Sequence, residues 1–241
     1  MAEQTSPRIP YRYTFRRADG RQKQFDVQLD YDSLAVVPVP RDSYPDWTQL
    51  SYCQCPNCPL QPDAHPRCPI AVNLVDVAEF FGDALSYEPM EVTVEAAGRT
   101  YSKKTSLQDA VSSLIGIFMV SSGCPVMNKL RPMVDTHLPF MTSAESTYRV
   151  ISMYLLAQYF RQRQGLAPDW SLDGLLGVLA AAKQTNAAFC QRFQAVDLRD
   201  AILGSLSVLN AQGEIASLSI ETDDLRRWGR IFAEHYGEGK P

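Results

Sequence analysis

Four of the six cysteines in this chain are each followed by proline: Cys55-Pro56, Cys58-Pro59, Cys68-Pro69 and Cys124-Pro125. Proline is about 5 % of average composition, so four such pairs exceed chance. Three of them crowd into Cys53-Gln-Cys-Pro-Asn-Cys-Pro-Leu60 and Arg67-Cys68-Pro69. Thiolates are the soft ligands that zinc and iron–sulfur clusters select. The spacing Cys55-x2-Cys58-x9-Cys68, closed from far away by Cys124, predicts one tetrathiolate metal site.

The turn Cys55-Pro-Asn-Cys58 can bring two sulfurs to one centre. Cys68 and Cys124 precede prolines suited to the first helical position, where a backbone N–H would have no partner anyway. Each cysteine then stands at an N-cap, where free N–H groups and the helix dipole favour thiolate over thiol. The occupant stays open between a [4Fe–4S] cluster and Zn2+, and the reading leans to the cluster. Cys68 and Cys124 are single, whereas a zinc ribbon pairs two knuckles. Isolated ligands from separate elements are usual for clusters.

The remaining candidates have plainer readings. Cys53 is a bystander, although it could serve as a fifth ligand. His65 could replace one cysteine but reads as a solvated loop histidine. Cys190 falls on the apolar stripe of a helix and belongs to the core. Cys124, with Lys129 and Arg131 nearby and His137 as a base, could instead be the nucleophile of a thiol enzyme. Asp135-x-His137 could hold a second metal, but a histidine satisfied by a backbone carbonyl is the simpler reading. Glu145, Glu221, Asp223 and Asp224 read as helix-start carboxylates.

Composition bounds the function. The chain has 241 residues, 45 % apolar and 21 % charged, with a net charge of −4. That is enough to bury a core as one α+β domain over 1–241. The negative balance argues against nucleic acid or an anionic membrane as partner. Arg8, Arg12, Arg16, Arg17, Arg21 and Lys23, interleaved with Tyr11, Tyr13 and Phe15, read as the wet face of a strand. The first ten residues lack an apolar stretch, and no run approaches a membrane span; a cytoplasmic protein is expected. In that compartment clustered cysteines mean metal or redox chemistry more often than disulfides. No glycine-rich nucleotide loop, Gly-x-Ser-x-Gly or His-Glu-x-x-His occurs.

Elements must position the cysteines. Alternation over 11–30 predicts a hairpin turning at Asp19-Gly20, and Met90 to Lys103 a second turning at Gly98. Leu34 to Val39 reads as a further β-like run. Ile70, Leu74, Val77 and Phe81 form one helical stripe that stops at Gly82. Ser106-x-x-Asp109 and Thr142-x-x-Glu145 open two helices as capping boxes, the first stopping at Gly123, with a short piece from Pro125 to Arg131. Further helices start at Ser171, span 198–211, and span 223–236 with Thr222 as cap. The expected fold is α+β: a strand-rich part over 10–104, including the cysteine segment 53–68, and a helical part over 105–237. The small antiparallel sheet of two hairpins packs with the C-terminal helical bundle, with the metal site at their junction.

The segments Gln54-Cys-Pro-Asn-Cys-Pro-Leu60, Cys68-Pro69, Ser122-Gly-Cys-Pro125, Leu130-Arg-Pro-Met133, His137-Leu-Pro-Phe140 and Tyr154-Leu-Leu-Ala-Gln-Tyr-Phe160 resemble an uncharacterised bacterial protein family. That family is a domain of unknown function, so the resemblance implies no activity or cofactor. It does imply that the early and late cysteine segments belong to one module. The functions expected from the residues are therefore a cluster- or zinc-binding protein with a redox or sensing role, a zinc-stabilised module serving a protein partner, or a thiol enzyme using Cys124.

Overall fold

The structure is a computed structural model and describes residues 7–196 and 200–236. Four antiparallel strands come first: β1 (Arg8–Arg17), β2 (Gln22–Asp30), β3 (Pro89–Ala96) and β4 (Arg99–Ser106), in the order β2-β1-β3-β4. The two expected hairpins thus share one sheet, joined where β1 lies against β3 with Tyr13 opposite Val94. The Ala96↔Arg99 register leaves a two-residue loop in which Ala97 (φ 50°) and Gly98 (φ 73°) are both left-handed. That is the turn whose twist matches paired strands.

Alternation decides which face is wet. Tyr11, Tyr13 and Phe15 of β1, Phe25, Val27 and Leu29 of β2, and Met90, Val92 and Val94 of β3 are all buried. Arg12 stays on the open face, paired with Asp26 at 2.9 Å and Glu95 at 3.4 Å. Exposed ion pairs of this kind contribute little; here they mark the solvent side. β4 is an outer strand carrying exposed Lys103 and Lys104, charges that discourage edge-to-edge pairing.

The helices are α1 (Pro69–Asn73), α2 (Val75–Phe81), α3 (Leu107–Ser121), α4 (Ser143–Arg163), α5 (Asp173–Gln194), α6 (Asp200–Glu221) and α7 (Arg226–Ile231). Phe81 of α2 meets Phe15 edge-on at 5.1 Å and stacks near Phe25 at 5.8 Å, so α2 is bolted to the sheet. Such aromatic pairs contribute about 0.5–1.5 kcal/mol beyond their burial. One large apolar cluster joins the sheet to α1, α2, α3, α5 and α6, and a smaller one fills the space among α4, α5 and α6.

Several local expectations change in three dimensions. Leu34 to Val39 forms no strand: Leu34 is left-handed (φ 55°), only Val36 makes a β-bridge, to Leu29, and its N–H goes to Ser121 O at 2.9 Å. The stripe from Ile70 to Phe81 is two helices, because Leu74 (φ −98°, ψ 0°) leaves the helical region between them. The piece after Cys124 is a 3-10 helix, Met127–Val134, that runs through Pro132, beyond the expected stop at Arg131. Thr222 does not cap a helix; its hydroxyl donates to Leu218 O at 2.7 Å at the end of α6. β4 reaches Ser106, two residues into the expected helical part. Leu198, placed at a helix start, lies outside the described residues.

Both helix starts carry a side-chain cap, but only the second forms the reciprocal box expected of both. Ser106 accepts from the Asp109 N–H, and Thr142 and Glu145 close a reciprocal capping box. Thr142→Ala is expected to lower stability by about 1 kcal/mol. Urea unfolding should show a lower midpoint with an unchanged slope; an unchanged midpoint would mean that α4 does not depend on its cap. Among the described residues no helix is long and apolar enough to cross a membrane.

Candidate metal centre

Cys55, Cys58, Cys68 and Cys124 line one small cavity with Leu50, Ile70, Phe189 and Arg192. Its free space is about 10 Å³, roughly one water-sized sphere. Three separate chain segments deliver the sulfurs. The Cys58 N–H donates to Cys55 O at 3.0 Å, which makes Cys55-Pro-Asn-Cys58 a closed turn. Asn57, at the tip of that turn, donates to Ala181 O of α5 at 2.9 Å, and Gln54 ties its base by donating to Leu60 O at 2.9 Å.

Cys68 is held from both sides. Its N–H donates to Thr48 O at 2.8 Å, and Leu50 N–H donates to Pro66 O at 2.9 Å, so the excursion between them closes on itself. Cys68 is the N-cap of α1 with Pro69 at the first helical position. Cys124 follows Gly123, whose φ of +93° turns the chain sharply at the end of α3; its carbonyl accepts the Asn128 N–H at 2.9 Å.

Burial dominates the electrostatics. The Cys55 thiol is pushed up to about 12, first by desolvation and then by Cys68, Cys124 and Cys58, while Arg192 acts in the opposite sense. Desolvation also raises Cys68, opposed by the Ala71 N–H, Arg192 and the Ile70 N–H. Those N–H groups face the sulfur without making a strict cap hydrogen bond. Desolvation raises Cys124 too, opposed by the N–H groups of Met127 and Val126. Cys68 therefore takes the N-cap place expected from Cys-Pro, whereas Cys124 lies two residues before Val126, the N-cap of the 3-10 helix; neither placement by itself produces thiolates. With nothing bound, these thiols keep their protons at neutral pH.

Arg192 of α5 was not singled out from the sequence. Its side chain is only 1 % exposed. The guanidinium donates to Gln49 O at 2.8 Å and Cys53 O at 3.2 Å and also to Trp47 O. Among the described residues no carboxylate pairs with it, and its buried Nε has no hydrogen-bond partner. A signal existed: Arg192 follows Phe189 at i+3 and precedes Phe193, a cation placed on an apolar stripe.

The other candidates fall away from the cavity. Cys53 is exposed with φ 48°. His65 lies in an exposed turn, its N–H donating to Gln61 O at 2.9 Å. Cys190 packs against the main core from partial exposure. Cys124 is buried with its pKa raised, the opposite of what a nucleophilic thiol requires. His137 lines a different cavity, and its Nε2 lies 2.7 Å from Tyr13 Oη, where a backbone carbonyl was expected. Among the described residues no group of three or more His, Cys, Asp and Glu side chains is arranged to hold a metal ion as it stands.

No curated protein matches the chain. No solved structure matches it either. A family model matches residues 9–233, and the chain belongs to that family, DUF6901, a domain of unknown function.

Proposed function

We propose that Cys55, Cys58, Cys68 and Cys124 hold a [4Fe–4S] cluster through which the protein serves a redox or redox-sensing role. The observation that carries this reading is the company the four thiols keep: an unpaired, fully buried arginine shares their enclosed cavity. A buried cation without an anion costs several kcal/mol. A tetrathiolate centre is anionic and would supply the missing charge, and the guanidinium in turn favours ionised sulfur.

The origin of the ligands supports a cluster over a single ion: the four sulfurs come from three separate chain segments, and a cluster usually takes ligands from separated elements. Bound, it would exchange one electron at a time, while the protein would supply four ligands, a dry shell and a counter-charge.

One observation favours zinc as the second reading. The closed Cys55–Cys58 turn is a geometry that places two sulfurs on one ion. The protein would then be a scaffold, with exposed Leu156, Phe160 and Trp170 offering apolar surface to a protein partner.

Anaerobically purified protein is expected to be brown, with charge-transfer absorption in the visible and about four iron and four sulfide per chain. Colourless protein with about one zinc per chain would replace the cluster by the second reading. Folded, metal-free protein from both aerobic and anaerobic preparations would sink both.

A further inference from the structure

A second, larger cavity adjoins the cysteine site across one turn of α5. Thr185 borders the small cavity and Asn186 the large one. The large cavity holds about 570 Å³ and lies among α3, α4, α5, α6 and the 3-10 helix Met127–Val134. That volume is in the range of small-molecule sites, roughly 300–1,000 Å³. Met119, Met127, Met133 and Met141 line it, four of the chain's seven methionines. Unbranched thioether side chains repack around irregular apolar bodies.

One part of the wall is polar and built. Ser113 Oγ lies 3.0 Å from Tyr13 Oη and 3.4 Å from His137 Nε2, and Tyr13 itself is fully buried. Arg149 lines the cavity as well and donates to Met133 O and Thr136 O, each at 2.7 Å. Among the described residues it has no carboxylate partner. Glu145, one turn away, is spent on its cap, accepting from the Thr142 N–H at 2.7 Å and the Thr142 hydroxyl at 2.8 Å. The other charged groups at the cavity are accounted for differently. Lys183 pairs with Glu214 at 2.6 Å, Asp109 accepts from Ser106 and Thr105, and Lys103 and Glu221 also border the cavity.

The polar wall is thus left with a cation and hydroxyl donors, facing a methionine-lined hollow. We infer that this cavity binds a monocarboxylate with a long apolar chain, its head held by Arg149 and Ser113 beside His137, its chain lying along the methionines. The charge of Arg149 also bears on His137, whose pKa falls to about 3 through burial and then that guanidinium. The imidazole therefore stays neutral and leaves the cationic work to Arg149. The inference does not depend on what the cysteines hold.

Titration calorimetry of the full chain with dodecanoate tests it, with dodecanol as the uncharged control. Dodecanoate should bind about once per chain and at least about tenfold more tightly than dodecanol. Arg149→Met should remove that preference. Because Arg149 also ties the loop after the 3-10 helix, a second variant is needed. Gly213 and Gly116 both border the cavity. A Cβ on Gly213 meets nothing within 4 Å, and one on Gly116 meets only Leu209 Cδ2 at 3.5 Å. Gly116→Leu with Gly213→Leu should fill the hollow, keep a cooperative thermal melt and weaken dodecanoate by more than about tenfold. The inference is overturned by folded wild-type protein that does not bind dodecanoate, by equal affinity for dodecanol, or by a folded double variant that binds unchanged.

Discussion

Serine in place of Cys124 is expected to lower the iron and sulfide of anaerobically purified protein by more than about tenfold. Changes to groups that merely support a metal ligand already cost about 10–100-fold in affinity, and a direct ligand should cost more. A serine hydroxyl is a harder donor that keeps its proton. Cys124 also arrives from a segment separate from the other three, so nothing nearby in sequence can replace it. Cys53→Ser is the matched control and should retain full metal, because Cys53 is exposed and does not line the cavity. Full metal in the Cys124 variant would exclude that residue and bring Cys53 or His65 forward. Loading also carries a pH signature. The Cys55 thiol sits near 12 when nothing is bound, so binding must expel protons. Metal retention should therefore fall as pH falls, which metal analysis after dialysis across a pH series would read directly.

Arg192→Met is expected to destabilise the loaded protein by about 3–5 kcal/mol, the usual cost of breaking a buried charge pairing from one side. The variant removes the counter-charge beside the sulfurs and also releases the carbonyls of Trp47, Gln49 and Cys53. Unfolding of the metal-loaded protein in denaturant measures the total. A readout specific to charge separates the two contributions. Removing a cation disfavours the more negative reduced state, so the reduction potential should become more negative, on the order of tens of millivolts. If Arg192 served only as a clamp for the 47–53 segment, stability would fall with the potential unchanged. Arg192→Lys should keep the charge yet fail to restore full stability, since one ammonium cannot reproduce a planar fork across three carbonyls.

Much of the fold was legible because the forces that specify it act within a few residues. Alternation in Tyr11, Tyr13 and Phe15 put those side chains on the buried face. Gly98 marked a turn because its loop needs positive φ at both centres. Ser106 and Thr142 marked helix starts because a hydroxyl can reach an N–H three residues on. Where such local signals failed, a distant partner intervened. The apolar run at Leu34–Val39 did not become a strand; the N–H of Val36 is taken by the end of α3. Thr222 resembled a cap but back-bonds within α6, whose helix continues to Glu221.

The candidate site divides the same way. Composition and spacing alone singled out Cys55, Cys58, Cys68 and Cys124, because ligand chemistry shows in residue type and proline marks where each sulfur sits. How small the hollow is and what charge faces it are properties of residues far apart in the chain. Asn57 meets Ala181 across 124 positions, and Arg192 meets Trp47 across 145. Those contacts help seal the cavity, and burial there raises the thiols of Cys55, Cys68 and Cys124 above their ordinary range, despite the backbone N–H groups that oppose it at Cys68 and Cys124. Desolvation sums over every surrounding atom, whichever segment it comes from, so it exists only once the chain has packed.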